Sequence, residues 1–417
     1  MITKNINTFR LYYFFWRFKP LAVLMIVYFS QITQSYSLAM GVFSVFNISY
    51  ALTKIPSGII SDKTGRKPII TLGSFLLTLA FFILSLAGLC NQKYFLFIFA
   101  LLWGIGEALI AGTIDALMFE TMEELKKTDN FKILYSKSMT YDQLGCAFGA
   151  LFAMVITYFY PIQYVAYFST LPALAQLLIS FNFIEPKNKI KTTTLSKLNI
   201  FVAFRQFIKN KKLRFYTIMD IYFSTLGDIS HRFESAYFKL FASDSIISLA
   251  RVLKHIFGMI GFISIPFLKK FPNPKIYFAS ISSNILIRSL AIASNNIFTP
   301  FIHMFINFFY ATGATAKTDI LQHEFLPQYR ASAQSIILFI KGLYMALVMY
   351  LIGIIADKQG IIFAMISLVL LRIIGLLLAY IWHYLNTKKH PLSRACFLHF
   401  VFFYFTAINK QAIASVE

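Results

Sequence analysis

The sequence predicts an all-α polytopic membrane protein, with twelve transmembrane helices in two pseudo-symmetric bundles of six. Composition is the first observation behind this. The 417 residues are 58% hydrophobic and only 13% charged, with a mean hydropathy of +0.66. A soluble globular chain is about half apolar and about a quarter charged. The second observation is the length of the apolar runs, repeatedly about eighteen residues or more, which is what a helix needs to cross a bilayer. The third is the placement of Lys and Arg, dense in alternate loops and sparse in the others, as the positive-inside rule requires.

A helix is expected wherever a long apolar run lies between charged or turn-rich breaks. This gives spans at about 17–36, 38–60, 68–89, 94–120, 139–160, 164–184, 214–238, 246–268, 275–294, 297–319, 333–356 and 360–383. The segment MITKNINTFRLYYFFWRFKP before the first run is basic and then aromatic. It has no small-residue cleavage site, so the first run is expected to be a retained helix and not a signal peptide. With the N-terminus inside, the cytoplasmic segments hold Lys4 and Arg10, Lys63 to Lys67, Lys126 to Lys137, Lys187 to Arg214, Lys269 to Lys275, Arg330, and Lys388 to Arg394. Little beyond Lys93, Lys239 and Lys358 remains outside. Both termini are therefore expected in the cytoplasm, and a bacterial inner membrane is the expected location.

The longest connection, EPKNKIKTTTLSKLNIFVAFRQFIKNKKLR, lies midway. The expected organisation is a six-helix bundle over 1–184, a basic cytoplasmic linker over 185–213, a second bundle over 214–384 and a cytoplasmic or interfacial tail over 385–417. The linker suits the surface of an anionic bilayer. The apolar stretch of the tail, 394–408, is too short for an ordinary span.

Several function classes are excluded. The net charge of +22 follows from skewed loop charges, and no basic folded module suggests nucleic acid as a partner. Three cysteines, Cys90, Cys146 and Cys396, lie far apart without metal-ligand spacing, so no metal or cofactor is expected. No Walker A loop is present. DISHRFE, 228–234, is the one dense cluster of reactive groups, and it has no HExxH spacing or serine–histidine–acid order, so an enzyme is not expected. The expected partners are a small-molecule substrate and the lipid bilayer, with the protein a monomer.

Between helices two and three lies GIISDKTGRK. It resembles the signature loop of the major facilitator superfamily, G-x-x-x-D-[RK]-x-G-[RK]-[RK], with Gly58, Asp62, Lys63, Gly65, Arg66 and Lys67 in the defined places. The resemblance implies a twelve-helix secondary transporter that rocks two halves around a central site, with this loop as part of a gate. Gly58 would let helices approach closely, and Gly65 would permit a tight turn. Asp62 would face the positive end of a helix of the other half, and Arg66 would bond Asp115 or Glu120. GIGEALIAGTIDAL, 104–117, and LPQYRASAQS, 326–335, are similar to further stretches of one bacterial branch, which usually has an acid where Lys54 stands. GIIADKQG, 353–360, mimics the loop but is expected on the outer face. The arginine of proton-coupled members would align with Ala100, and YDQLGCAFGA, 141–150, lacks the proline of drug antiporters.

In the resembling family, helices one, four, seven and ten line the cavity. Here those helices carry polar residues at helical spacing. Helix seven reads Asp220, Ser224, Gly227, His231 and Glu234, and helix ten reads His303, Asn307, Tyr310, Ala314 and Lys317. Helix one offers Gln31, Gln34 and Ser35, and helix four offers Glu107 and Asp115. Ionisable groups inside a bilayer usually face a cavity or a partner. Gln31, Gln34, Glu107, Asp220, Ser224, Asp228, His231, His303, Asn307 and Tyr310 are therefore the expected substrate-facing residues. Asp228 can instead pair with Arg232 one turn on. Glu107 and Asp220 are the carboxylates expected to couple transport to protons. Lys54 and Lys341 would attract an anion or snorkel, and Arg288 and Arg372, on outlying helices, would be structural. The function implied is a secondary transporter of a small solute, with an exporter of drugs or toxic compounds, or a non-transporting sensor of the same fold, as the alternatives.

Overall fold

In the computed structural model, residues 2–127, 131–186, 205, 207–268, 270–325 and 330–386 are described. The apolar tail 394–408, loop residues 326–329 and most of the linker lie outside them.

The described elements are helical, and they group into twelve spans. These are α1 (Lys4–Arg17 and Met25–Thr33, joined by a 3-10 turn Pro20–Val23), α2 (Tyr36–Thr64), α3 (Arg66–Cys90), α4 (Lys93–Ile110 and Thr113–Glu124), α5 (Phe131–Phe159) and α6 (Ile162–Phe168 and Thr170–Ser180). The second six are α7 (Lys211–Phe238), α8 (Asp244–Ile263 and Ile265–Leu268), α9 (Asn273–Ser294), α10 (Thr299–His303 and Ile306–Glu324), α11 (Arg330–Gln359) and α12 (Ile361–Asn386). Among the described residues, those up to Arg372 form one compact unit, and Ile373 to Asn386, which are helical, belong to a second.

Nine of the spans are long and apolar enough to cross a membrane on composition alone. The three that are not are α1, α7 and α10. Each is interrupted or carries charge, and each was expected to line the cavity. Low hydropathy and an inward-facing polar stripe are one property seen twice.

The largest departure from expectation is α1. It starts at Lys4, not near residue 17, and the aromatic segment that precedes the apolar run is itself helical. The charges of Arg17 and Lys19 and the ring of Pro20 read as a boundary, but they sit at a break within the span. Breaking a helix in hydrocarbon frees backbone groups that need partners. Here the Phe18 amide donates to Phe14 O (2.9 Å), and the Ala22 amide to Lys19 O (3.0 Å). The Leu21 amide reaches Ser169 Oγ at 3.3 Å. Ser169 stands at the break of α6, so two discontinuities serve one another.

α5 accepts this broken helix through a pair of glycines four residues apart. A Cβ at Gly145 would run into the Phe14 carbonyl, and one at Gly149 would lie 3.3 Å from the Lys19 amide nitrogen. Small residues at this spacing let helix backbones approach. α4 breaks at Ala111, followed by Gly112 at φ +84°. The Lys54 ammonium donates to the freed Ala111 carbonyl, where a cation complements a helix C-terminus. Lys54 is thus engaged in structure. Gly58 does not serve the helix approach expected of it, because no atom lies within 4 Å of where its Cβ would be.

Glycine substitutions separate these roles. Gly145→Val should lower stability by about 1–3 kcal/mol through overpacking against α1. Gly58→Ala should be neutral or stabilising by about 0.5–1 kcal/mol, as expected in an open helical position. Thermal unfolding of the two variants in one detergent checks the contrast.

Candidate functional site

The loop between α2 and α3 defines one face of the molecule, here the turn face. Gly65 holds φ +107°, a region open to glycine. Arg66 is buried with Glu120 of α4. Its Nε and Nη2 donate to Glu120 Oε1 at 3.1 and 3.0 Å, and its Nη1 donates to Ser61 Oγ at 2.7 Å. Of the two carboxylates expected for Arg66, Glu120 is therefore the partner. Asp115 accepts from the Tyr13 hydroxyl at 2.7 Å instead, because five residues along α4, about 1.4 turns, put it on a different side of the helix, toward α1. The side chain of Asp62 lies outside the described residues, and Lys63 is exposed.

Sequence reasoning missed Glu185. Its two carboxylate oxygens accept the amides of Arg66 (2.7 Å) and Lys67 (2.8 Å) at the start of α3. An anion there meets both the free amides and the helix dipole. A Cβ on Gly65 would come within 2.8 Å of Glu185 Oε1, so glycine at 65 also makes room for this clamp. The signal was an acid just past the sixth apolar run.

On the opposite, far face, α2 and α11 seal the two halves together. Gly353 brings α11 against Ser37, and Gly342 brings it against Ala51. Between them the Ser44 hydroxyl donates to Ala346 O at 2.7 Å. Residues 37 to 51 of α2 make this contact over about 20 Å at the helical rise. The seal ends in Asp357, within the stretch that mimics the turn-face loop. Its Oδ1 accepts the Tyr36 amide (2.6 Å), and its Oδ2 accepts the Ser37 amide (2.9 Å) and the Ser35 hydroxyl (2.8 Å). An acid from one half thus caps a helix N-terminus of the other. Beside it, Tyr36 meets Phe233 of α7 at 6.0 Å between ring centroids.

Within each half the charged groups of the four polar helices find partners, on one another or on α5 and α11. Lys19 of α1 bonds Glu107 of α4, and the Trp103 indole also donates to Glu107, at 3.3 Å. Arg17 Nε donates to Asp142 Oδ1 of α5 at 2.7 Å. In the second half, Lys317 of α10 donates to Asp220 of α7 at 2.9 Å, and Lys341 of α11 to Asp228 of α7 at 2.8 Å. The anticipated Asp228–Arg232 pairing gives way to Lys341. The Arg232 guanidinium crosses to the first half, 4.4 Å from the Phe43 ring centroid, 5.6 Å from Phe46 and 5.9 Å from Trp103. Stacking a cation on aromatic faces offsets part of its desolvation.

The remaining expected site residues divide. His231, Asp228 and Tyr310 are well exposed, with 48% of the His231 side chain, 40% of the Asp228 side chain and 58% of Tyr310 accessible. Arg17 is 44% exposed. Ser224 Oγ is buried without a partner. Asn307 packs against Gly258 of α8, and His303 is buried against Phe238 and Glu234. Gln31 and Gln34 are not part of this group. They line a cleft of about 380 Å³ at the far face with Ser35, Tyr36 and Asp357, because they are the last residues of α1 before the chain turns into α2. Arg372 donates to the Phe223 carbonyl at 3.3 Å. The sequence reading overlooked Arg17, Lys19, Asp142, Arg251 and Lys254. Charges inside otherwise apolar runs were the available signal.

The Major Facilitator Superfamily profile matches residues 11–413. The chain belongs to this superfamily. An uncharacterised MFS-type transporter of the archaeon Methanocaldococcus jannaschii is 37% identical over 84 residues, which is 20% of either chain. Among solved structures, a mutant form of the nucleoside transporter NupG superposes with a TM-score of 0.77 at 13% identity, over 90% of this chain and 98% of that one. The D-xylose–proton symporter gives 0.71 at 12%, over 91% and 97%. A bacterial homologue of the human lysosomal transporter Spinster, in an inward-facing and unoccupied conformation, gives 0.71 at 14%, over 94% and 98%. The superfamily chain therefore has the twelve-helix fold of these transporters.

The far-face cap yields a prediction. Asp357→Asn removes the negative charge at this helix N-terminus, worth about 1 kcal/mol, so opening of that face should become about fivefold more frequent. A cysteine placed at Phe233, buried beneath Tyr36, should be alkylated about fivefold faster in the Asp357→Asn background of a protein lacking its native cysteines. An unchanged rate would show that the cap does not hold the face shut.

Proposed function

We propose that the protein is a secondary transporter that moves a small solute by alternating access. The observation that carries this is the joint arrangement of seal and charge. α2 and α11 close the far face from Ser37 to Ala51, while His231, Asp228 and Arg17 below it remain accessible. This is the arrangement of a cavity open toward the turn face. The turn-face loops carry Lys63, Lys67, Lys127 and Lys270, which supports a cytoplasmic turn face in a bacterial inner membrane. The protein is proposed to work as a monomer.

The two halves offer equivalent coupling elements. Each pairs its first and fourth helices by a lysine–carboxylate contact, Lys19–Glu107 in one and Lys317–Asp220 in the other. Protonating the carboxylate would release the lysine and loosen the pair, which links proton binding to helix movement. Glu107 is the better placed of the two, because Lys19 sits on the irregular backbone of α1, the segment most able to adjust.

The test is flux into proteoliposomes, with the solute chosen from a thermal-shift panel at two pH values. Saturable uptake and counterflow without ATP are expected. Glu107→Gln should abolish uptake driven by an inward proton gradient yet preserve solute exchange. Full pH dependence in that variant would remove Glu107 from coupling, and no flux of any stabilising solute would remove the transporter reading.

A further inference from the structure

The ion pairs described so far balance one cation with one carboxylate. One cluster in the second half does not. Glu234 of α7 is fully buried, and three cationic side chains converge on it. Lys254 Nζ lies at 2.5 Å and Arg251 Nη1 at 3.4 Å, both from α8, and Arg288 Nη1 of α9 lies at 3.5 Å. None of the three is more than 7% exposed. His303 approaches Glu234 only to 3.5 Å. Its Nε2, and the Nε of Arg288, are buried hydrogen-bonding groups without a partner.

A buried excess of positive charge is costly in a low-dielectric interior, and one carboxylate cannot offset three cations. Donors left without acceptors add to the cost. A second anion beside Arg251 and Lys254, which face Glu234 Oε2, would relieve the excess of charge. The cluster has a mouth. His231 lies 2.7 Å from Arg251 Nη1 and 3.1 Å from Lys254 Nζ, and its side chain is 48% exposed. α8, which carries Arg251 and Lys254, also touches the 3-10 turn of α1.

We infer that the Glu234 cluster is a binding site for an oxyanion, a carboxylate or phosphate group, taken up beside His231 and held by Arg251 and Lys254. The inference names the solute class of the proposed transporter and rests on that reading for its meaning in flux. Guanidinium and ammonium donors side by side beneath His231 suit a planar or tetrahedral oxyanion, which accepts several bonds at once. A neutral sugar or an organic cation would leave the excess charge unrelieved.

The experiment uses the full chain in detergent, titrated with inorganic phosphate and with citrate at constant ionic strength, with glucose and choline as comparison ligands. Saturable stabilisation by phosphate or citrate and none by glucose or choline is expected. Arg251→Gln should raise the dissociation constant about tenfold or more, while Arg251→Lys, which keeps the charge, should lose much less. Should Arg251→Gln fail to fold, His231→Phe at the exposed mouth should block access and weaken binding similarly. No saturable stabilisation by either anion, or equal affinity in wild type and variants, would overturn the inference. Binding without flux of the same anion would uphold the site and sink the transporter reading. Flux of a neutral or cationic solute that neither anion inhibits would do the opposite.

Discussion

Every charge placed in the apolar slab must find a partner within a few ångströms, because neither lipid nor a dry protein interior can solvate it. That constraint organises this fold. It explains why α1 can break where it does. The break at Phe18 and Lys19 would be untenable if Arg17 and Lys19 did not meet Asp142 and Glu107, and if Gly145 and Gly149 did not admit the irregular backbone. It also explains how α1, α7 and α10 tolerate their low hydropathy, since their charges meet counter-charges on neighbouring helices of the same half. A partner helix supplies the counter-charge that lipid cannot.

The same rule operates at helix ends. Three times the chain offers a side chain of the correct sign to a helix terminus: Glu185 at the start of α3, Asp357 at the start of α2, and Lys54 at the break of α4. Two of these contacts tie the chain within one half. Asp357 joins the two halves, and it does so on the face opposite the loop that its sequence resembles. The halves also echo one another where their first and fourth helices meet. Asn5 donates to Thr121 at 3.1 Å in the first, and Asn210, which caps α7, donates to Glu324 at 3.0 Å in the second. A rocking pair of bundles needs stiff bundles and a contact between them that can be remade, and these bonds divide along that line.

The fold was legible because hydropathy is a property of long segments, and twelve such segments survive errors in any one. Their ends were less so. The start of α1 was placed too late because a sequence does not show that Arg17 and Lys19 have partners more than eighty residues away. The turn-face loop was readable to the level of Arg66, since its geometry is local, but the choice between Asp115 and Glu120 depended on which turn of α4 faces the loop. The polar stripes of α7 and α10 were visible as periodicity. Their pairing was not, because an Asp228–Arg232 contact within one helix and an Asp228–Lys341 contact between helices look equally plausible in one dimension. Gln31 and Gln34 were misplaced because a polar stripe shows which side of a helix is polar and not how far along it the site lies, and both residues stand at the far end of α1.

The central claim is that the two halves exchange which face is closed. Pulsed electron–electron distance measurements test it most directly, with spin labels at Gln92 and Ile297 on the far face and, in a second protein, at Lys127 and Lys270 on the turn face. All four positions are exposed. The account predicts a dominant population with the far-face pair close and the turn-face pair apart. On acidification, the two distances should move in opposite senses. Distributions that stay fixed at both faces, or that lengthen together, would contradict it.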